Sequence, residues 1–314
     1  MKYLFGPVQS RRLGLSLGID LVPYKTCTLD CVYCECGKTT CLTSEIKEYV
    51  PTAGVLRELR EFLSEKPDLD VLTFSGSGEP TLHSGIGEVI DFLKDNYPDY
   101  RVAVLTNGTL FWDEDVRRRV LRADVIIPSL DAAVAETFQR IGRPVAPVTL
   151  ERTVDGLERL REEFSGKIVL EIFVLPGVNT SEEELSKLQD VIARISPDVI
   201  QLNRLDRPGT EDWVSTADDD MLKHVAEYLR PFNVETVGKP VYQVRAGRNQ
   251  EKDEDSVIAV LSRRPSTMED LASTLGMRRS QLSKVLHALR EKGLVEEYQM
   301  ERGWFYRLQH DGSE

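Results

Sequence analysis

Cys27-Thr28-Leu29-Asp30-Cys31-Val32-Tyr33-Cys34 sets three thiols at the spacing C-x3-C-x2-C, with an aromatic residue directly before the last. Cys36 and Cys41 follow closely, and the 314 residues contain 5 cysteines in all, every one in this short segment. A secreted disulfide framework spreads its cysteines along the chain and pairs them off. An odd cluster in one loop points instead to metal or iron–sulfur ligation in a reducing compartment. Three thiolates hold three irons of a [4Fe–4S] cube and leave the fourth without a protein ligand. An open position of that kind separates catalytic from structural metal sites. The competing reading is a tetrahedral zinc knot built from four of the five cysteines, for which C-x3-C is the less usual spacing.

Outward from this loop the chain alternates. β-rich runs fall at residues 15–21, 71–75, 102–106, 125–129, 168–174 and 199–203. Amphipathic helical patterns fall between and after them, at 53–63, 86–96, 113–122, 150–163, 182–195 and 218–230. Thr52, Ser84, Ser181 and Thr216 stand where helix caps are expected. Strict strand–helix order predicts a parallel sheet with outer helices, either open and doubly wound or part of a barrel. Polar tips end the runs at 75–79, 106–108, 129–131, 176–179 and 203–206. Parallel α/β folds gather their ligands beyond strand C-termini, so these tips and the cysteine loop mark one working face.

Phe74-Ser75-Gly76-Ser77-Gly78-Glu79-Pro80-Thr81 ends the second run. Its glycines admit close backbone approach, and carbonyls beside a carboxylate suit an ammonium group. The three-cysteine loop after the first strand, Tyr33 before Cys34, and this G-x-G-E-P-T segment after the second together resemble the radical S-adenosylmethionine (SAM) superfamily, over roughly residues 2–204. The resemblance implies an α/β fold, a partial (β/α)6 TIM-like barrel. It implies a [4Fe–4S] cluster on Cys27, Cys31 and Cys34, and SAM chelated at the open iron. Reductive cleavage then gives a 5′-deoxyadenosyl radical that abstracts a substrate hydrogen, with a flavodoxin- or ferredoxin-like electron donor. The SAM contacts it implies are Tyr33, Gly76, Gly78, Glu79, Thr106, Asn107, Ser129, Asp131, Asn179 and Asn203. Turn capping is the plainer reading of Asn107-Gly108, Ser129 and Asp131. Within the superfamily the barrel is most similar to wyosine-forming tRNA enzymes, and more distantly to molybdenum-cofactor cyclases.

Other residues carry open readings. Arg11 and Arg12 either hold an anionic substrate end or form a solvated pair. Glu171 lies inside an apolar run, as a site residue or at a solvated edge. Arg204 pairs with an anionic ligand or with Asp206. His83 reads as a solvated loop histidine, and Cys36 and Cys41 as thiols without a metal role.

Residues 246–255 are almost wholly polar and read as a linker, which divides the chain into 1–245 and 256–314. Beyond it, three helical patterns and a hairpin resemble a winged helix-turn-helix. Residues 256–314 hold 9 Lys or Arg against 8 Asp or Glu. Arg278, Arg279, Lys284, Arg290 and Lys292 on the third helix suit RNA or DNA contact, while near-neutrality suits a peptide or protein partner. Trp304, Phe305 and Tyr306 are core or a stacking surface. The net charge of −12 excludes a general polyanion-binding surface. No apolar run reaches membrane-spanning length and residues 1–8 are too short for a signal peptide, so a cytoplasmic protein is expected.

The leading expectation is therefore a radical SAM enzyme acting on RNA or a peptide presented by the winged helix. A glycyl-radical activase accommodates residues 76–81 but not the winged helix. A metal- or redox-sensing winged-helix regulator accommodates the C-terminal module and leaves residues 76–80 without a purpose.

Overall fold

A computed structural model describes residues 1–76, 78–237, 250–300 and 303–309. The chain opens with an antiparallel hairpin of β1 (Leu4–Ser10) and β2 (Gly14–Ile19), in the register Leu4 to Ile19 and Ser10 to Gly14. β3 (Thr26–Cys27) and β4 (Cys41–Leu42) pair in parallel and tie the two ends of the cysteine loop together. Then follow α1 (Thr52–Leu63), β5 (Val71–Phe74), a 3-10 turn (Pro80–Leu82), α2 (Ile86–Asn96), β6 (Arg101–Thr106), α3 (Glu114–Val120) and β7 (Val125–Pro128). After these come α4 (Ala135–Gly142), α5 (Leu150–Glu163), β8 (Lys167–Phe173), α6 (Glu182–Ile195), β9 (Val199–Asn203), α7 (Asp219–Tyr228) and β10 (Val234–Thr236).

One sheet runs in the order β1-β2-β5-β6-β7-β8-β9-β10, parallel throughout after the first hairpin. The order never reverses, so the doubly wound alternative is excluded and the sheet is that of a partial barrel. Alternation along the strands sorts the side chains. Leu72, Phe74, Val104, Ile126, Leu170 and Leu202 point outward into the main core with the helices. Val71, Ala103, Val125, Ile127, Val169 and Val199 form a separate apolar cluster inside. Burial on both faces makes the runs nearly continuous in apolar residues. Further along the same inward register the character changes. Thr73 meets Ser16 at 2.7 Å through their hydroxyls, and Glu171 follows Val169. The barrel is therefore plugged with hydrocarbon at one end and polar at the other.

Several elements escape the periodicity. β1 carries Gly6 and Pro7, which suit an edge strand and blur its pattern. β10 is three residues long. α4 has Val134 at its cap position with no side-chain cap, so it lacks a start signal, yet it buries Phe138 and Ile141. Residues 250–255, expected within a linker, form the first turns of α8 (Gln250–Leu261). Gln, Glu and Lys are good helix formers, and polarity alone does not mark a loop. The rest of the expected linker, 246–249, lies outside the described residues.

The C-terminal unit continues with β11 (Ser266–Thr267), α9 (Met268–Leu275), α10 (Arg279–Glu291), β12 (Val295–Met300) and β13 (Gly303–Leu308), with its sheet in the order β11-β13-β12. Thr267 caps α9 in a reciprocal box with Asp270. At the other helices Ser181 caps α6 as expected, while Gly85 and Asp218 take the cap positions expected of Ser84 and Thr216. Leu271, Leu282, Leu286 and Leu289 fill a small core of the unit's own. Phe305 is buried and Trp304 is half exposed. α9 packs on β1, and the Arg263 guanidinium lies 4.2 Å over the Phe5 ring. No helix among the described residues is long and apolar enough to cross a membrane.

Candidate active site

The cysteine loop is shaped by its own turns and by the elements beneath it. The Cys34 and Gly37 amides donate to the Cys31 and Cys34 carbonyls, each at 3.1 Å. Asp30 accepts from the Thr39 amide at 2.7 Å. The C-terminal carbonyls of α4 receive the loop: the Asp30 amide donates to Gly142 and the Val32 amide to Ile141. Lys25 Nζ stands 3.0 Å from Cys34 Sγ, and Asn107 Nδ2 is 3.5 Å from Cys27 Sγ. Burial pushes the Cys27 thiol up to about 12, with Glu79 adding to it. Cys31 is raised by burial and by the neighbouring Cys34 and Cys27. Cys34 is held below the usual thiol range by a hydrogen bond from Cys36 and by Lys25. Three thiols in range of one another's charge, with N–H donors aimed at two of the sulfurs, are a donor set that suits a cubane cluster. Among the described residues no three His, Cys, Asp or Glu side chains converge on a position for a single metal ion.

The β5 tip presses against this loop. A Cβ on Gly78 would collide with the Thr26 carbonyl and Val22, so only glycine fits there, and one on Gly76 would press on the Asp20 carboxylate, which would have to shift. Ser77 between them lies outside the described residues. Glu79 is 2% exposed and accepts four hydrogen bonds: from the Thr81 amide at 3.0 Å, the Thr81 hydroxyl at 2.6 Å, the Thr106 hydroxyl at 2.7 Å and the Asn107 amide at 2.7 Å. Three of these donors converge on Oε1 and one, the Asn107 amide, reaches Oε2, which keeps room for a further donor. Glu79 therefore braces the β5 tip to the β6 tip. Asn107 is fixed likewise, its amide donating to the Thr28 hydroxyl at 2.7 Å and accepting from Thr109.

Across the mouth, Tyr33 stacks on Phe173 with centroids 4.0 Å apart, and its hydroxyl donates to Asp131 at 2.5 Å. Asp131 also accepts from the Phe173 amide at 2.7 Å, and burial lifts its carboxyl to about 6. Asn179 is buried with its polar atoms on backbone, donating to the Asp131 and Phe173 carbonyls and accepting from the Leu175 amide, each at 2.8 Å. It positions the β7 and β8 tips. Ser129 is half-buried at the β7 tip, bridged in parallel to Glu171. Asn203, 7% exposed, approaches Glu171 at 3.5 Å.

Several open readings now close. Glu171 faces the barrel interior and pairs with Arg12. Arg11 pairs with Asp206, so neither arginine is a solvated surface group. Arg204 turns away from the site to Asp219 at 2.6 Å. His83 is fully buried, with Nδ1 accepting from the Gly85 amide and Nε2 bonded to the Val50 carbonyl at 2.7 Å, so it is not a solvated loop residue. Sequence reasoning missed Lys25, Glu35 and Arg207. The Arg207 side chain is only 5% exposed, and it bridges Glu35 at 2.8 Å and Asp270 of α9 at 3.3 Å.

Asp20, at the end of β2, gives a test of the site's electrostatics. Burial raises its carboxyl from 3.8 to about 6, and Arg263 at 3.8 Å offsets little. Its Oδ1 is buried with no hydrogen-bond partner. The folded value exceeds the unfolded one, so ionised Asp20 costs stability above the folded pKa, and the cost vanishes below the unfolded pKa. Asp20→Asn is expected to stabilise the fold by about 2 kcal/mol near pH 8 and by nothing near pH 3, read from denaturant melts at the two pH values. An equal gain at both would show that charge is not the cause.

A profile of the radical SAM superfamily matches residues 21–188, and a Crp-like helix-turn-helix profile matches 247–307. A protein named GTPase Obg from Brachyspira hyodysenteriae is 34% identical over 297 residues, which cover 94% of this chain and 44% of that protein. The chain thus spans under half of that relative. A UPF0026 protein of Methanocaldococcus jannaschii is 32% identical over 241 residues, covering 76% of this chain and 73% of its own length. A radical SAM methyltransferase structure from Sphaerobacter thermophilus superposes with a TM-score of 0.53 at 16% identity, over 70% of this chain and 66% of that one. TYW1 with a lysine–pyruvate adduct bound gives 0.50 at 17% identity, over 72% and 75%. At these identities the structural likeness is one of fold.

Proposed function

The chain belongs to the radical SAM superfamily, and from that premise we propose that it cleaves SAM reductively at a [4Fe–4S] cluster held by Cys27, Cys31 and Cys34, in order to modify a substrate bound at the barrel mouth. When bound, the cluster and SAM would supply the electron and the 5′-deoxyadenosyl radical. The chain's own residues supply the setting. Lys25 and Asn107 donate toward the sulfurs and favour thiolate over thiol. Gly76 and Gly78 let backbone carbonyls approach a ligand ammonium, while Glu79 keeps that tip in place through its four bonds. Tyr33, ordered by Phe173 and Asp131, presents an aromatic face beside the cysteines. Thr106, Ser129 and Asn203 line the remaining tips, and Asn179 holds two of the tips together. The observation that carries this reading is the convergence of the β5 and β6 tips on the three-cysteine loop through Glu79, Asn107 and the glycine contacts.

The test is anaerobic reconstitution with iron and sulfide, followed by incubation with SAM and dithionite. A brown protein that releases 5′-deoxyadenosine is expected. A colourless protein, or a brown one that leaves SAM intact, would overturn the reading. A flavodoxin- or ferredoxin-like protein is expected to replace dithionite as the donor.

A further inference from the structure

A cavity of about 650 Å³ lies between the β1–β2 hairpin, the inner face of the barrel and the first two helices of the C-terminal unit. That volume is in the range of small-molecule sites. Its inner wall includes Ser16, Thr73 and Gly76, so the space runs to the β5 tip beside the cysteine loop. Its ionisable lining is lopsided: Arg11, Arg12, Arg207, Arg263 and Arg264 against Asp255 and Asp270. Four of these arginines have a carboxylate partner, namely Asp206 for Arg11, Glu171 for Arg12, Glu35 with Asp270 for Arg207, and Asp20 for Arg263. Each partner fixes a guanidinium, Asp270 from within the cavity lining itself. Arg264 differs: its backbone is bonded to Val260 and Ser266, but no ion pair or hydrogen bond of its side chain is found among the described residues. The Nε atoms of Arg207 and Arg263 are buried with no hydrogen-bond partner.

Such crowding has a physical consequence. Burial, with Arg207 and Arg11 nearby, pulls the Arg264 guanidinium down to about 10 against the opposing pull of Glu35. Burial and Arg11 do the same to Arg12. Arginine scarcely gives up its proton in a protein, so a cluster of this kind is relieved by gaining an anion.

The second half of the case is the C-terminal unit. Of the five Lys or Arg residues along α10 and its ends, Arg279 is paired with Glu269 at 2.9 Å, Arg290 with Glu297 at 2.7 Å and Lys292 with Glu254 at 2.6 Å, while Arg278 and Lys284 have no ion pair among the described residues. A helix with three of its five cations matched by acids offers little free charge for tracking a phosphate backbone. Arg264 of this unit instead lines the cavity against the barrel.

We propose that this cavity binds an anionic group of the substrate, a carboxylate or a phosphate ester, gripped by Arg264 of the winged helix together with Arg12 of the hairpin turn. The winged helix is then a wall of the active site, and its arginine sets which substrates enter. Calling the bound group part of a substrate rests on the radical SAM reading, whereas the anion site rests on the arginines alone.

The experiment is calorimetric titration of the full chain, without cluster or SAM, at low ionic strength, using pyrophosphate and tricarballylate as probes. Saturable binding of at least one probe is expected, and the preferred probe assigns phosphate or carboxylate. Arg264→Ala should weaken binding by roughly tenfold or more, the usual loss of a charged hydrogen-bond donor. Arg264→Lys keeps charge and fold but loses the two-pronged geometry, and should fall between. Arg122→Ala, on the outer surface, should bind as the parent does. No saturable binding of either probe, or undiminished binding by both Arg264 variants, would overturn the proposal. Anion binding that persists in a protein unable to cleave SAM would sink the radical reading and leave this site standing.

Discussion

Cys34→Ala is expected to reduce SAM cleavage to background and to leave the reconstituted protein without its brown colour. Cys34 is the sulfur that Lys25 and Cys36 both hydrogen-bond, and the one held toward thiolate. The thiolate is the form that ligates iron. Removing it leaves two cysteines of the C-x3-C-x2-C set, too few to hold a cube in place. The contrast lies with the two remaining thiols. Cys41 is exposed in the short strand that closes the loop, and Cys36, although it hydrogen-bonds Cys34, lies outside the C-x3-C-x2-C set. Cys41→Ser and Cys36→Ala should each retain the cluster absorbance and cleavage. If Cys36→Ala behaved as Cys34→Ala does, the fourth iron would be occupied by protein, and the open position that the chemistry needs would not exist.

The barrel was legible because burial acts on both faces of a parallel sheet. Six strands buried inside and out read as apolar runs, and their polar ends marked the working face without any structural information. What sequence could not convey was which polar groups spend themselves on one another. Glu79 reads as a carboxylate offered to an ammonium, with no sign in the sequence that four donors from two loops already reach it, three of them at Oε1. Asn179 reads as a ligand contact, and nothing in the sequence shows that its side-chain amide is also bonded to backbone of two strand tips. Arg204 and Arg207 are equally plain on paper. One pairs locally with Asp219, and the other reaches Glu35, 172 residues away in the chain. Long-range ion pairs leave no periodic trace, because a single residue in a loop belongs to no repeat. The same limit hid α4, whose two turns carry too few apolar positions to show a period, and β1, where Gly6 and Pro7 interrupt the alternation.

Arg207→Ala is expected to cost about 3–5 kcal/mol of unfolding free energy at neutral pH, the range for removing one partner from a buried ion pair. Arg207 joins three segments: its own loop after β9, Glu35 in the cysteine loop and Asp270 in α9. The side chains of Glu35 and Asp270 are 16% and 4% exposed, so water cannot readily take over when the guanidinium is lost. Burial pushes the Glu35 carboxyl up, but Arg207, with Arg264 and Arg11 behind it, brings the net value below the ordinary one. A carboxyl depressed in the fold adds stability that is complete above its unfolded pKa and is lost as pH falls through the folded one. The cost of Arg207→Ala should therefore shrink as pH drops into the range where Glu35 is protonated, since a neutral acid needs no cation. Adding Glu35→Gln and Asp270→Asn to Arg207→Met should recover most of the loss, because uncompensated charge is the chief penalty. Asn at 270 can still serve the α9 cap, so the recovery is not masked there. Denaturant melts across pH check each statement. A loss below about 1 kcal/mol at neutral pH would place Arg207 among ordinary solvated pairs. The winged helix would then have to be held on the barrel by other contacts, such as the packing of α9 on β1 and of Arg263 on Phe5.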